Sequence, residues 1–431
     1  MKYFHLLIWF TGTISILSCS DSTDSESLSK NKIKIDYPYS VDLVEGMKNN
    51  STFSLSEIAD SIKYIVLSKE QDVVLRFVTR IEIDNADIFV NAATEESSFF
   101  RFDSDGRFIN SIGKIGRGPE EYLGGSIFTI CPESGQVYVR RNYTYEYLSY
   151  DYDGNYIGNL GIDKHAFTGS IAAPKKNILL EIFTFNGWRK NLPVDLQLFR
   201  LFTHNDSTLK SIPHPLLTEA GNWQGDQILN LGIPGKTYFE NEIIPNVWFS
   251  DTIYKISKDS IYKGFVLDKG KYVQTPDQKY LNNSTDTKKS FRSGSPLFET
   301  KTRAYFKQSL GRKKLYLFEY NKKTGVVTSM NQEVGLSNAS LSDISRLDQK
   351  FRFRNDLDGG IDFFPAFTNR KGDIWVRSIS AFDFKTQHIQ KLQESTKAVS
   401  PEQKQKLMHF LENLKEDDNP VLIMVYLKQN I

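Results

Sequence analysis

Three glycines surround a lysine and an arginine in the segment GKIGRGPEEY, which runs from Gly113 to Tyr122. Glycine-rich loops of this composition bind phosphate when they follow a strand, open a helix and end in Lys-Ser or Lys-Thr. Here no such pair closes the motif, and the strand-like sequence IFTIC follows. The segment therefore predicts a sharp corner between two strands, where glycine permits unusual backbone angles and Pro119 stiffens the chain.

Residues that usually support catalysis or metal binding do not form a recognisable motif. None of the six histidines stands in a His-x-His or His-x-x-x-His pair, so the sequence predicts no metal and no cofactor. Two Asp-x-Asp-Gly segments, beginning at Asp103 and Asp151, lack the distal glutamate of a calcium loop and predict hairpin turns. Asp356 and Asp358 in NDLDGG could act as paired carboxylates on a sugar, or could belong to a glycine-rich turn before a strand.

The elements that would position these residues repeat along the chain. FRFDSDGRFINSIG and LSYDYDGNYIGNLG align so that Asp103 recurs as Asp151, 48 residues later. Each copy contains four short strands, which in the second copy are predicted at Ser126–Ile130, Gln136–Arg140, Glu146–Asp151 and Tyr156–Leu160. A near-fixed period of four antiparallel strands is typical of a propeller blade.

Six such blades account for most of the chain. Blade 4 is predicted to take TYFENEII, DTIYKIS and SIYKGFVLD as its last three strands. Blade 6 combines FFPAFTN and GDIWVRSI with PVLIMVYLK from the C-terminal end and SIKYIVLSK, residues 61–69, from the N-terminal side. The sequence thus predicts an all-β, six-bladed β-propeller with four-stranded antiparallel blades, closed in one blade by both ends of the chain.

One helical insertion is predicted near the C-terminus, on one face of the disc. Ser400 would cap its helix, Pro401 would take the first helical position, and Gln403 would complete a capping box.

The start of the chain predicts an exported lipoprotein. Lys2 precedes an apolar stretch ending in ILSC, which resembles the bacterial lipobox, although an ordinary signal peptide is the alternative. Residues 1–18 would then be the signal peptide, Cys19 the lipidated residue, 19–55 a flexible polar tether and 56–431 the propeller. The expected location is the outer membrane, facing the periplasm or the exterior. A balance of 54 basic and 52 acidic residues gives no footprint for nucleic acid.

Several connections should lie on one face, because the second and fourth strands of an antiparallel blade run in the same direction. These are GKIGRGPEEY, NYTY, NGWRKN, PNVWF and the helical insertion, with the Asp-x-Asp-Gly turns on the opposite face. Aromatic rings stack on sugars, and arginine pairs with carboxylates or sulfates. The candidate ligand-binding residues are Arg117, Tyr122, Tyr143, Trp188, Arg189, Trp248 and Asp358. The tryptophans could instead wedge the blades together.

Several segments carry a family resemblance. IGRGPEEY, ICPESGQVYVRR and YDYDGNYI resemble the NHL repeat, and the chain from about Ser61 is similar to six-bladed β-propeller lipoproteins of Gram-negative gut anaerobes. SDTIYKI, LFET, NDLDGGIDFFP and NPVLIMVYLK belong to the same likeness. The resemblance implies the fold but no established activity. We therefore expect a binding module for a glycan or an envelope protein; a glycan-active lyase or hydrolase and a scaffold subunit of an envelope complex are the alternatives.

Overall fold

The structure is a computed structural model. It describes residues 37–430 except for 70–73, 76–77, 93, 95–96, 143, 145, 163–167, 189–190, 192–193, 204, 206, 220–227, 231–234, 248–249, 276–289, 293–295, 312–313, 334–351 and 394–397. None of the helices described is both long and apolar enough to cross a membrane.

Strands dominate the described chain. In chain order they are Tyr39–Asp42 (β1), Ala59–Val66 (β2), Arg80–Asp84 (β3), Asp87–Asn91 (β4), Phe99–Phe102 (β5), Phe108–Ser111 (β6), Ile127–Cys131 (β7), Gln136–Arg140 (β8), Glu146–Asp151 (β9), Tyr156–Ile162 (β10), Thr168–Lys175 (β11), Ile178–Phe183 (β12), Asn186–Trp188 (β13), Gln197–Thr203 (β14), Thr208–Pro213 (β15), Ile228–Asn230 (β16), Gly235–Phe239 (β17), Glu242–Asn246 (β18), Thr252–Ile256 (β19), Ile261–Asp268 (β20), Phe291–Arg292 (β21), Phe298–Glu299 (β22), Arg303–Leu310 (β23), Lys314–Asn321 (β24), Val327–Glu333 (β25), Phe367–Thr368 (β26), Ile374–Ile379 (β27) and Val421–Leu427 (β28). The helices are Leu43–Gly46 (α1), Leu55–Ile58 (α2), Leu216–Glu219 (α3), Ala381–Gln393 (α4) and Pro401–Asn413 (α5).

Six antiparallel sheets form the blades of a β-propeller, as the sequence predicted. Blade 1 contains β3 to β6, blade 2 β7 to β10, and blade 3 β11, β12, β14 and β15. Blade 4 contains β17 to β20, blade 5 β22 to β25, and blade 6 β26, β27, β28 and β2. The four strands predicted for blade 2 are present; β8 and β9 have the predicted bounds, and β7 and β10 differ from theirs by one or two residues.

Blade 4 corrects one detail of the prediction. The segment TYFENEII was expected to form a single strand, but it contains the end of β17, a hairpin and the start of β18. Glu240 and Asn241 form the hairpin, with φ values of 50° and 64°. Two left-handed residues are required in a hairpin of this type, and glycine usually supplies them. The sequence did not predict this turn because neither residue is a glycine or a proline.

Both ends of the described chain meet in blade 6, which confirms the predicted closure of the ring. β2 pairs antiparallel with β28, with Tyr64 opposite Ile423. β28 in turn pairs with β27. The outermost strand of this blade therefore comes from the N-terminal side of the chain and the next strand from the C-terminal end.

Residues 37–58, which we call the N-terminal strap, correct the predicted boundary of the tether. β1 pairs in parallel with the outer strand β20 of blade 4. The chain then crosses blade 5, where the backbone N–H of Ser51 donates to Ser329 O at 2.8 Å. Val41, Leu43 and Leu55 are fully buried. Part of the segment assigned to the tether, residues 19–55, thus covers the outer edges of two blades.

The helical insertion contains two helices, where the sequence predicted one. Ser400 Oγ accepts a hydrogen bond from Gln403 N, as expected for an N-cap, but the Gln403 side chain does not return the bond. Its Oε1 instead accepts from Ile62 N at 2.9 Å, and its Nε2 donates to Asp60 O at 3.1 Å. The insertion leaves the end of β27 and packs along the outer strand β2. It therefore protects a sheet edge rather than covering a face of the disc.

Apolar side chains between adjacent blades form the core. Phe99 of blade 1 packs against Phe128 of blade 2 with ring centroids 5.1 Å apart. Between blades 5 and 6, Trp375 contacts Phe298 and Tyr305 at 5.8 Å each. Full burial of one such side chain stabilises the fold by about 1.5–3 kcal/mol. The blades therefore form a rigid support for the connections at their ends.

Candidate functional site

The two ends of the blades differ in what they carry. The connections between second and third strands, and those between successive blades, lie at one end, which we call the loop face; residues 113–126 and the described residues of 92–98 and 247–251 belong to it. The hairpins that join the first two and the last two strands lie at the other end, the turn face. The Gly113–Tyr122 loop and the Asp-x-Asp-Gly turns therefore lie at opposite ends of the blades, as the sequence predicted.

The acidic turns on the turn face use their carboxylates within the hairpins. Asp103 Oδ1 accepts hydrogen bonds from the backbone N–H groups of Asp105 and Arg107, at 2.8 and 2.9 Å. Asp151 Oδ1 accepts from Asn155 N at 2.8 Å. These are Asx-type turns. No group of three or more potential metal ligands occurs among the described residues.

The Gly113–Tyr122 loop on the loop face has a fixed internal geometry. The backbone N–H of Gly116 donates to Tyr122 O at 2.9 Å, and that of Tyr122 donates to Lys114 O at 3.1 Å. The Glu121 carboxylate folds back and accepts from Gly118 N at 2.8 Å. A Cβ atom on Gly116 would lie 1.9 Å from Glu121 Oε2. The glycine is thus required so that the glutamate can hold the loop.

Blade 2 anchors the same loop from outside. Arg141 Nη2 donates to Gly118 O at 3.0 Å, and Tyr150 OH donates to Glu120 O at 2.8 Å. Arg117 directly precedes Gly118, the first of these anchored residues, and it is exposed. The loop therefore presents one guanidinium to solvent on a backbone whose conformation is set in advance.

Tyr122 does not take the role of a ligand platform that the sequence suggested. Its ring is fully buried and packs against Phe99 with centroids 4.7 Å apart. Its hydroxyl donates to Ile112 O at 2.9 Å, accepts from Ser98 N at 3.2 Å and lies 2.7 Å from Ser97 Oγ. Burial raises the pKa of Tyr122. The residue is a structural link between blade 1 and the loop.

Of the candidate residues in the other loop-face connections, the structure describes only the backbone of Trp188. Trp188 ends β13, which pairs with β16 through Trp188 and Ile228 in a small sheet separate from the six blades. This sheet belongs to the loop face, because β13 lies between the second and third strands of blade 3. Tyr143, Arg189 and Trp248 lie outside the described residues.

Asp358 belongs to the connection between blades 5 and 6, and it is buried. It is 1% exposed, and its carboxylate accepts from Tyr64 OH at 2.6 Å and from Gly360 N at 2.9 Å. The neighbouring carboxylate of Asp356 accepts from both N and Oγ of Ser56. The two carboxylates therefore hold the N-terminal strap and the closing strand. They are not paired across a cleft, and the turn interpretation of NDLDGG fits their contacts.

A cluster of charged side chains, which the sequence did not single out, fills the central channel. Lys236 Nζ of blade 4 lies 2.7 Å from Glu82 Oε1 of blade 1, and their side chains are 4% and 1% exposed. Glu82 Oε2 also accepts from Tyr238 OH and from Ile130 N, each at 3.2 Å. One carboxylate thus joins the inner strands of blades 1, 2 and 4.

Arg370 reaches the same cluster from the turn face of blade 6. Its Nη1 donates to Ala173 O at 3.0 Å, and its Nη2 donates to Ile130 O and lies 3.7 Å from Glu82 Oε2. The guanidinium carbon lies 4.8 Å from the centroid of the Tyr238 ring. The arginine closes the channel below the Glu82–Lys236 pair.

Arg80 lies on the other side of the pair, at the loop-face end of β3. Its side chain is partly exposed, and its Nη1 donates to Ser170 Oγ of blade 3 at 2.8 Å. Within the part of the chain that the structure describes, no carboxylate lies within ion-pair distance of this guanidinium. Arg80 is therefore the charged group of the cluster nearest to the mouth of the channel on the loop face.

Two cations, Lys236 and Arg370, share the Glu82 carboxylate, and a third, Arg80, is close enough to act on this group electrostatically. Burial lowers the pKa of Lys236 to about 7, and repulsion from Arg80 and Arg370 adds to the effect against the attraction of Glu82. Burial alone would raise the pKa of Glu82, but Lys236 and Arg370 outweigh it and hold that pKa below its ordinary value. The cluster carries a surplus of positive charge when Lys236 is protonated.

One sequence signal could have identified this cluster. In RIEID, Arg80, Glu82 and Asp84 occupy alternate positions of an inner strand and so lie on one face of it. Charged residues at inward positions are the informative exception in a strand of this kind.

Comparison with known proteins places this architecture in a family. Residues 38–426 match a family described as a domain of unknown function, DUF4934. The chain belongs to the DUF4934 family. No sequence among the curated proteins matches it.

Two solved structures are similar to this DUF4934 chain. A Bacteroides fragilis protein described as exported is 14% identical, with a TM-score of 0.59 over 91% of this chain and 99% of that one. A DUF4221 family member from Bacteroides vulgatus is 12% identical, with a TM-score of 0.47 over 86% of this chain and 97% of that one. At these identities the first similarity shows the fold, and it carries no information about a ligand.

Proposed function

We propose that this DUF4934 protein is a lipid-anchored binding module of the cell envelope, which recognises a glycan through its loop face. The observation that carries the proposal is the Gly113–Tyr122 loop. Hydrogen bonds from Gly116, Gly118 and Tyr150 fix its backbone, while the Arg117 side chain remains exposed. A backbone that is already fixed loses little freedom on binding, and a guanidinium pairs well with planar anionic groups.

The location rests on the chain start and on a relative. The ILSC segment that ends at Cys19 supports lipidation, and the similar Bacteroides fragilis protein is described as exported. The resemblance to NHL-type propeller lipoproteins of gut anaerobes supports the same location, the outer membrane.

A glycan array with the detergent-solubilised full chain tests the binding function. Arg117→Ala should weaken binding about tenfold or more, since a hydrogen bond to a charged group contributes about 1.5–3 kcal/mol. Arg107→Ala is the matched control, because this arginine lies on the turn face with its side chain 70% exposed. Equal loss in both variants would contradict a role for the loop face.

The same preparation separates the alternatives. Turnover of a bound glycan that a single carboxylate substitution abolishes would support a lyase or hydrolase. A stoichiometric protein partner together with a blank array would support a scaffold subunit. Cys19→Ala should release the protein from the membrane fraction and remove labelling by radioactive palmitate. Retention of both properties would contradict lipid anchoring.

A further inference from the structure

We propose that the loop-face mouth of the central channel, around Arg80, binds one oxyanion of the ligand, the carboxylate or sulfate group of an acidic sugar. The inference rests on the proposed function and names its ligand class. It depends on the position of Arg80, on the charge balance beneath it and on the small residues around it.

Position gives the first argument. Inner strands run from the loop face to the turn face, so the first residue of each lies at the mouth. Arg80 is the first residue of β3 and is partly exposed, whereas Glu82, two positions further along the same strand, is 1% exposed. An anion that enters from the loop face therefore meets Arg80 before it meets any carboxylate of this strand.

Charge gives the second argument. The Glu82 carboxylate is already engaged by Lys236 at 2.7 Å and by the more distant Arg370 at 3.7 Å. Arg80 is left with one hydrogen bond to a neutral hydroxyl, that of Ser170, among the described residues. A partly buried guanidinium with unused donors is stabilised by an anionic partner far more than an exposed one. Bound anion would also offset the repulsion that Arg80 exerts on Lys236.

The surroundings give the third argument. Two other inner strands carry small residues near their loop-face ends: Ser170 in β11, whose hydroxyl accepts from Arg80, and Gly235 at the start of β17. Hydroxyl groups donate to oxyanions, and a glycine leaves space beside them. A single oxyanion therefore fits this corner better than an apolar group would.

Titration calorimetry with the solubilised full chain tests the proposal directly. The probes are sodium glucuronate, glucose as its neutral counterpart and inorganic sulfate. Glucuronate should bind, glucose should bind at least about tenfold more weakly, and sulfate should compete with glucuronate. Arg80→Gln should raise the Kd for glucuronate about tenfold or more, while Arg80→Lys, which keeps the charge, should raise it less.

The control is Arg107→Gln, which removes one positive charge on the turn face and should leave the Kd unchanged. Unaltered glucuronate affinity in Arg80→Gln, or no binding of either anion to the wild type, would overturn the proposal. If Arg80→Gln does not fold, Arg80→Lys and the competition by sulfate decide the question. Glycan binding that Arg117→Ala abolishes and Arg80→Gln leaves intact would retain the proposed function and reject this inference. Anion binding with a blank glycan array would do the reverse.

Discussion

Lys236 and Glu82 form an ion pair across the central channel, with Nζ and Oε1 2.7 Å apart. The two residues belong to blades 4 and 1, which lie on opposite sides of a six-bladed ring. Their contact therefore joins parts of the propeller that no strand ladder connects. Because three cations surround a single carboxylate, the two members of the pair should not be equally important.

We expect Glu82→Gln to destabilise the protein more than Lys236→Met does. Loss of the carboxylate leaves Lys236, Arg370 and Arg80 without a counter-charge, and breaking a buried pair in this way costs about 3–5 kcal/mol. Loss of the lysine leaves Glu82 with Arg370 and should cost less. Urea unfolding measures the difference. The exposed pair Glu402–Lys406 is the control, where either replacement should leave the free energy of unfolding nearly unchanged. A larger loss from Lys236→Met would contradict the charge surplus.

Stability should decrease between pH 6.5 and pH 4 because of buried neutral histidines. His388 is fully buried; its Nδ1 donates to Phe384 O at 2.8 Å and its Nε2 accepts from Ile361 N at 3.2 Å. Burial lowers the pKa of His388 to about 4. In the unfolded chain His388 therefore binds a proton below about pH 6.5, whereas in the folded chain it binds one only below about pH 4. His388 alone should therefore lower the free energy of unfolding by roughly 3 kcal/mol across this window.

Chemical unfolding at several pH values, with His388→Gln beside the wild type, measures this contribution. Between pH 6.5 and 4, the free energy of unfolding of the variant should depend less steeply on pH, by the contribution of about one proton. His214, whose pKa burial also lowers to about 4, remains in both proteins and serves as an internal reference. The pKa of Asp358 is raised by burial, so this group acts in the opposite direction as pH falls, in both proteins. Parallel curves for the two proteins would show that His388 does not titrate as expected.

Tyr122→Phe should affect stability and leave ligand affinity unchanged. The variant keeps the ring packing against Phe99 and loses the hydroxyl contacts with Ser97, Ser98 and Ile112. Leaving buried polar groups unsatisfied costs about 1–3 kcal/mol. Thermal unfolding and glycan binding are measured on the same sample. Weaker binding without loss of stability would mean that the ring contacts the ligand after all.

Gly154→Ala should be much more destabilising than Gly158→Ala. Gly154 has φ +88°, and a Cβ atom there would lie 2.3 Å from Ser111 O of blade 1. Strain in this conformation costs about 1–3 kcal/mol before the clash is added. Gly158, in β10, has no positive φ and no atom within 4 Å of a built Cβ, so its replacement should be neutral or slightly stabilising. Similar unfolding midpoints for the two variants would contradict the close approach of blades 1 and 2.

The blade pattern could be predicted because it is local. Asp103 and Asp151 recur with their glycines at the same position of successive hairpins, and alternation along each strand marks the buried side. The start of helix α5 could also be predicted, because Ser400 and Pro401 are typical of an N-cap and a first helical position. Its neighbour α4 had a usable signal as well, since Ser380 Oγ accepts from Asp383 N at 3.1 Å as in a capping box.

The channel cluster could not be predicted in the same way. Glu82, Lys236 and Arg370 come from three blades, and nothing in the sequence near one of them indicates the others. Their convergence follows only from the ring as a whole. The misassignment of Tyr122 has a similar cause, because an aromatic residue in an exposed loop has the same local pattern whether its ring points inward or outward.

The N-terminal strap determines how the propeller bears mechanical load. Any pull on the chain upstream of Tyr37 first acts on β1, whose residues 39–42 pair side by side with the outer strand of blade 4. A pull along the axis of the strand would load this ladder in shear, so its hydrogen bonds would share the force. The strand that seals the ring, β2, is loaded only after β1 and the segment as far as Leu55 have detached. The strap therefore shields the pairing of β2 with β28, which closes the ring, from a force applied to the N-terminal segment.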